Sequence, residues 1–143
     1  MLKKHINAIE SVQRSYTKRI IGMGDLDYSS RLKELKLPSL EYRRFRGDLI
    51  EMYKICNNVY DPKTVKSLFE FVEPDNRTRG HCLKVKKRRT NTKKFQHFFT
   101  NRIVNVWNGL PEQCVCAKSL NVFKNFIDAY FKDIMYNINL DIY

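Results

Sequence analysis

The stretch FFTNRIVNVWNGLP, from Phe98 to Pro111, contains the only tryptophan of a 143-residue chain. Its apolar residues recur at i, i+4, i+7, i+8 and i+11, the spacing of one helix face: Phe99, Ile103, Val106, Trp107 and Leu110. Gly109 and Pro111 end the helix. Such a stripe favours a core position for Trp107 over stacking on nucleic-acid bases, whereas Phe98 lies off the stripe and stays ambiguous.

Five other stretches carry helical signals. They cover residues 6–21, a short segment around 29–35, then 39–57 and 62–71, and a last helix that begins near 119. In the first helix an apolar stripe is expected to face the core: Ile9, Val12, Tyr16 and Ile20. In the last helix the expected inward residues are Leu120, Phe123, Ile127, Tyr130 and Ile134, with Phe126 and Phe131 widening the arc. In the third helix Arg44 is expected to pair with Asp48, four residues later.

These patterns predict a mainly α fold: a single small helical domain of five to six helices with a basic extended arm or short strand pair. The expected parts of this one domain are a helical part over 1–72, a basic arm over 73–97, C-terminal helices over 98–134 and a tail over 135–143. Alternation of apolar and basic residues over 82–86 indicates the strand or extended arm.

The net charge of +12 is concentrated in residues 77–111, which hold ten Lys or Arg and no Asp or Glu. A segment that cannot neutralise itself attracts a polyanion, most commonly nucleic acid. The candidate phosphate contacts in the arm are Arg77, Arg79, Lys84, Lys86, Lys87, Arg88, Arg89, Lys93 and Lys94. Arg102 from the tryptophan helix, and Arg43 and Arg46 from the third helix, are candidates to extend them. A solvated loop, a nuclear-import signal over 86–89 and a solvated arginine face on the third helix are the alternatives.

Several kinds of chemistry have no sequence support. The chain has no glycine-rich phosphate loop, no HExxH motif and no adjacent aspartates, so we expect no catalysis by this chain alone, no cofactor and no small-molecule substrate. The four cysteines are expected to be reduced thiols in or near the core, since the spacing gives no support to a metal site built from Cys114, Cys116 and a histidine. Without a long apolar run or a secretory signal, we expect no membrane partner and an intracellular location, in the nucleus or cytoplasm.

Several motifs in order resemble one known family. They are DLDYSSRLKELKLPSLEYRRFRGDLIEMYKI (25–55), TRGH (78–81), FFTNRIVNVWNGLP (98–111), and Ser119 with Phe123-Lys124. Together, over about residues 9–131, they resemble the segment that follows the reverse-transcriptase domain in jockey-like non-LTR retrotransposons, or LINE elements. The resemblance implies a noncatalytic C-terminal fragment of a LINE-type RNA-directed DNA polymerase, a mobile-element protein.

In that family the polymerase and endonuclease precede this region, and none of their catalytic motifs has a counterpart in these 143 residues. The resemblance therefore implies that the first helices are the end of the polymerase thumb or its continuation, that the basic arm touches template RNA or target DNA, and that a polymerase domain supplied elsewhere is a further partner. Two rival hypotheses remain. One is a helical protein-interaction module, and the other is a decayed element remnant with no selected function.

Overall fold

The computed structural model describes residues 3–73, 80–89, 91–92, 95, 97–137 and 140. Within those ranges the chain forms seven α-helices and one short 3-10 turn, with no β-sheet. The helices are α1 (Lys3–Lys18), α2 (Tyr28–Glu34), α3 (Leu40–Cys56), α4 (Pro62–Leu68), α5 (Phe99–Asn108), α6 (Glu112–Val115) and α7 (Leu120–Tyr130). The predicted mainly helical fold is confirmed. The sequence missed α6, a four-residue helix that begins directly after Pro111.

Aspartate caps fix the starts of the two shortest predicted helices. The Asp27 carboxylate accepts hydrogen bonds from the backbone N–H groups of Ser29 and Ser30, at 3.0 and 3.3 Å, and so begins α2. The Asp61 carboxylate accepts from the Thr64 N–H at 3.0 Å, with Pro62 at the first helical position of α4. This helix ends at residue 68, before the predicted 71, because the chain then becomes extended and Phe71 pairs with Val85.

The described residues group into two compact units. The first comprises the described parts of 1–46 and 130–141, and the second those of 47–129. The chain passes from the first to the second inside α3. That the whole chain forms a single domain stays a prediction.

In the first unit, α1 is held by its polar side. Glu10 and Thr17 are buried, and the Glu10 carboxylate accepts hydrogen bonds from the Tyr28 hydroxyl at 2.6 Å and from the Leu40 N–H at 3.0 Å. The Thr17 hydroxyl accepts from Nε of Arg31 at 3.3 Å. These bonds satisfy a buried hydroxyl, a buried guanidinium and the free amide at the start of α3.

The predicted inward face of α1 is therefore wrong. Ile9, Val12 and Tyr16 are 49%, 69% and 72% exposed. Burying Tyr28 and Arg31 requires hydrogen-bond partners, and α1 supplies them from Glu10 and Thr17, which lie on the helix face next to its apolar stripe. The stripe is left on the surface, and Ile20, beyond the end of α1, is half-buried.

Aromatic contacts complete the first unit. Tyr42 and Phe45 of α3 are buried, and the Phe45 ring meets the edge of Phe131 with centroids 4.9 Å apart. Tyr130 was predicted to point inward, but it is 56% exposed. It is the last residue of α7, and its ring meets the edge of the Phe131 ring at 4.8 Å between centroids.

In the second unit, Trp107 of α5 has no exposed surface. Its indole lies 6.2 Å, between centroids, from the Phe123 ring, which stacks at 4.4 Å on Tyr53 of α3. The Tyr53 hydroxyl donates to the Ala117 carbonyl at 2.7 Å, so even the polar tip of this stack is satisfied. The predicted core position of Trp107 is confirmed.

Candidate nucleic-acid interface

Residues 81–89 of the basic arm are called the basic segment here. Hydrogen bonds of His81 and Leu83 hold this segment against α5, the tryptophan helix. The Trp107 indole N–H donates to the Leu83 carbonyl at 2.8 Å, and Nε2 of His81 lies 2.9 Å from the Trp107 carbonyl. His81 is buried, and its ring meets the indole edge-on at 5.8 Å. One residue of the core thus accepts from and donates to the same short stretch of chain.

Two further contacts hold the segment at Val85, whose side chain is buried. The Asn108 side-chain amide accepts from the Val85 N–H at 3.0 Å and donates to its carbonyl at 2.8 Å. Phe71 forms an isolated antiparallel bridge with Val85 through two backbone bonds of 2.8 Å. The predicted extended stretch is present, and its pairing amounts to one bridge. Because Val85 is buried, the apolar side of this arm is part of the core.

The backbone conformation at residue 80 explains why the TRGH motif has a glycine at this position. Its φ is +110°, a conformation that residues with a side chain rarely adopt. A Cβ at this position would lie 2.6 Å from Cε of Lys84, because the lysine side chain folds back over the glycine. Lys84 is consequently half-buried and presents less of its charge to solvent than the cations that follow it.

Residues 86–89 present four successive exposed cations: Lys86, Lys87, Arg88 and Arg89. Lys86 forms an exposed ion pair with Glu70 at 2.5 Å, and this pair lowers the pKa of Glu70. Arg88 donates to the Ser67 carbonyl at 3.2 Å. Exposed contacts of this kind contribute little to stability, so a phosphate can compete for Lys86 and Arg88. Four other predicted contacts, Arg77, Arg79, Lys93 and Lys94, lie outside the described residues.

Arg102 was expected to extend the phosphate contacts of the arm, but its guanidinium is bonded within the fold. Its guanidinium donates to both carboxylate oxygens of Asp48, at 2.7 and 2.8 Å, and to the His97 carbonyl at 2.8 Å. Both side chains of the ion pair are largely buried. The predicted pairing of Asp48 with Arg44 is therefore replaced by a bidentate pair between α3 and α5. We leave Arg102 out of the proposed phosphate contacts.

The arginines of α3 belong to the first unit. Arg43 is exposed, and Arg46 is half-exposed. Residues 80–89 of the basic arm belong to the second unit. A phosphate-binding role for Arg43 and Arg46 stays a prediction.

A pocket of about 500 Å³ opens beside the exposed cations, and the sequence analysis did not find it. Its lining combines two arginines, two aromatic rings and small polar side chains: Arg88, Arg89, Asn91, Thr92, Phe95, Phe98, Thr100 and Asn101. Phe95 and Phe98 stack on each other with centroids 5.4 Å apart, and they are 58% and 57% exposed. In the sequence, the one sign of this pocket was that Phe98 lies off the helical stripe.

The cysteines were expected in or near the core, and this expectation is wrong for Cys82 and Cys116. All four are free thiols; burial raises the pKa of Cys56 to about 12 and that of Cys114 to about 11, whereas Cys82 and Cys116 are exposed. Across the ranges that the structure covers, no three His, Cys, Asp or Glu side chains are placed to hold a metal ion. Within the same ranges, every helix is too short or too polar to cross a bilayer.

Comparisons of this chain with protein-family models, curated proteins and solved structures found no match.

Mild acid is expected to destabilise the protein through His81. Burial lowers the pKa of His81 from its ordinary 6.5, so below pH 6.5 the unfolded chain binds a proton that the folded chain excludes. The contribution of His81 to the free energy of unfolding is complete above pH 6.5 and falls as the pH drops below it. Thermal denaturation at pH 7.5 and 5.5 measures this loss.

The His81→Gln variant isolates this residue, because a glutamine amide keeps a donor for the Trp107 carbonyl but cannot be protonated. We expect its melting temperature to fall less between the two pH values than that of the unmodified protein. His97→Gln, at an exposed position, is the matched control and should behave like the unmodified protein. Equal acid sensitivity in the His81→Gln variant would contradict the assignment.

Proposed function

We propose that this chain is a noncatalytic nucleic-acid-binding segment of a LINE-type reverse transcriptase, and that residues 86–89 bind the phosphate backbone of RNA or DNA. The observation that carries the proposal is the presentation of four successive cations on a segment whose other side is fixed to the core. Fixed cations lose little freedom on binding, so their attraction for phosphate is not spent on ordering the chain.

The contacts between motifs support the family part of the proposal. Gly80 and His81 come from the motif TRGH, and Trp107 comes from FFTNRIVNVWNGLP. The hydrogen bond between His81 and the Trp107 carbonyl joins the two. Residues of two motifs that are 26 positions apart in the sequence are therefore in direct contact, as we would expect if the motifs serve one functional unit.

Phosphate contacts of this kind fix affinity without reading sequence. We therefore propose a positioning role: the segment holds template RNA or target DNA while chemistry takes place on a polymerase domain supplied elsewhere. The proposal assigns no catalytic residue to this chain. It predicts that binding depends strongly on salt and weakly on base sequence.

Neutralising the four cations by changing Lys86, Lys87, Arg88 and Arg89 to Gln tests the proposal. Fluorescence anisotropy with a labelled RNA, between about 50 and 200 mM salt, should show weaker binding and a salt slope smaller by roughly 3, because each phosphate contact contributes about 0.7–0.9 to that slope. The free energy of unfolding should change by about 0.5 kcal/mol or less per substitution, since all four side chains are exposed.

The matched control changes Lys4, Lys18, Arg19 and Lys33 to Gln, which removes the same charge from exposed positions in the first unit. This control should keep most of the affinity. Equal losses in the two variants would show that net charge alone attracts RNA. Failure of the unmodified protein to bind RNA or heparin at about 50 mM salt would remove the basis of the proposal.

The exposed stripe of α1 favours a second candidate function, a protein-interaction module. Ile9, Val12 and Tyr16 form an apolar ridge in water, while the one acid of this helix, Glu10, is buried and bound internally. The charges exposed on α1 and just beyond it are cationic, among them Lys4, Lys18 and Arg19. A second copy of α1 would bring like charges together, so the partner that fits is an amphipathic helix with acidic flanks. The decayed-remnant hypothesis also expects an exposed stripe, but it expects no such selectivity.

Two synthetic helical peptides with one shared leucine stripe, one flanked by Glu and the other by Lys, test this second function. The Glu-flanked peptide should bind, and the Lys-flanked peptide should not. Changing Ile9, Val12 and Tyr16 to Ser should weaken binding at least about tenfold, because the three exposed side chains supply the apolar contact. Thermal stability should stay nearly unchanged. Anisotropy measures the binding, and no binding of the acidic peptide would contradict this function.

A further inference from the structure

Two exposed aromatic rings beside the basic segment have no role in the core. Phe95 and Phe98 stack at 5.4 Å with 29° between their planes, and more than half of each side chain is open to solvent. Backbone bonds hold both residues: the Phe98 N–H donates to the Phe95 carbonyl at 3.2 Å, and the Phe98 carbonyl accepts from N–H groups of Asn101 and Arg102 in α5. An exposed pair of rings held in place in this way is typical of a binding surface.

The rings share their pocket with two cations. Arg88 and Arg89 line the same space of about 500 Å³, which falls in the usual range of small-ligand pockets. Residues 77–111 contain no Asp or Glu, so the stretch that supplies this lining has no carboxylate of its own to repel an anion. A ligand that combines a flat aromatic group with a negative charge matches this pairing of rings and guanidinium groups.

Asn101 adds a third feature to the pocket. Its side chain lines the space and is 6% exposed, and its Nδ2–H donates to the Phe95 carbonyl at 3.1 Å. Its Oδ1 is buried and accepts no hydrogen bond from any residue that the structure describes. A buried acceptor without a partner is uncommon in folded proteins. A ligand that carries an N–H donor would satisfy it with a small movement of the side chain.

We propose that this pocket holds one unpaired nucleotide, with its base stacked on the Phe95 and Phe98 rings, its phosphate at Arg88 and Arg89, and a base N–H directed at Asn101. The ligand of the proposed function is then single-stranded nucleic acid, and the inference rests on that function. Every base has a π-face and all four carry N–H donors, so the pocket is tolerant of sequence. In a duplex the base faces are covered by their neighbours, and the rings have nothing to stack on.

The experiment compares three labelled ligands of one length: single-stranded RNA, single-stranded DNA and a blunt DNA duplex. Binding is measured by anisotropy at about 150 mM salt, where backbone attraction alone is weakened. The unmodified protein should bind the single strands at least about tenfold more tightly than the duplex. Changing Phe95 and Phe98 to Leu removes the rings but keeps apolar bulk, and it should weaken single-strand binding about 10- to 100-fold with little effect on the duplex.

A second variant with Tyr at both positions keeps the rings and should retain single-strand binding. Phe126→Leu, at an exposed phenylalanine of α7 outside the pocket, is the matched control and should bind as the unmodified protein does. If the Leu variant binds single strands as tightly as the unmodified protein while the Gln variant of residues 86–89 does not, stacking is overturned and the proposed function stands. If the unmodified protein binds none of the three ligands even at about 50 mM salt, the proposed function itself fails.

Discussion

The hydrogen bond from the Trp107 indole to the Leu83 carbonyl couples the hydrophobic core to the basic segment. The indole needs a partner because a buried N–H without one costs about 1–3 kcal/mol. Leu83 supplies that partner only when residues 81–85 lie along α5. His81 and Asn108, on either side of the same contact, bind in the same register. The chain therefore cannot pack its tryptophan well and leave the basic segment loose.

This coupling determines where the charge goes. Side chains of an extended segment alternate between two sides, and Val85 is the residue that turns inward between Lys84 and Lys86. Once Val85 is buried and its backbone is bound on both edges, the cations that follow it begin from a fixed point on the surface. This arrangement favours binding to phosphate, because a free basic loop would lose conformational entropy when it became ordered on the backbone of a nucleic acid.

Local signals predicted much of the fold. The apolar stripe of α5 and the positions of α2, α3 and α4 depend on residues within a few positions of one another, so the sequence is sufficient to place them. The stripe of α1 failed because periodicity reports that a helix is amphipathic without reporting which side its neighbours need. In α1, the inward side is determined by Tyr28 and Arg31 of α2, whose buried polar groups need hydrogen-bond partners.

The candidate site was predicted in part for the same reason. Charge composition marked residues 86–89, which are exposed. It also marked Arg102, whose partner Asp48 lies 54 residues earlier and becomes a neighbour only in the fold. The pocket at Phe98 likewise requires Phe95 and Phe98 to lie near Arg88, which no spacing rule expresses.

The single tryptophan allows a direct measurement of the central claim that the indole belongs to the core and bonds to the basic segment. Fluorescence of Trp107 should be blue-shifted, resistant to quenching by acrylamide, and unchanged when RNA is added, because the ring has no exposed surface. Emission typical of an indole in water, or quenching by bound RNA, would contradict the account and would place the tryptophan among the nucleic-acid contacts.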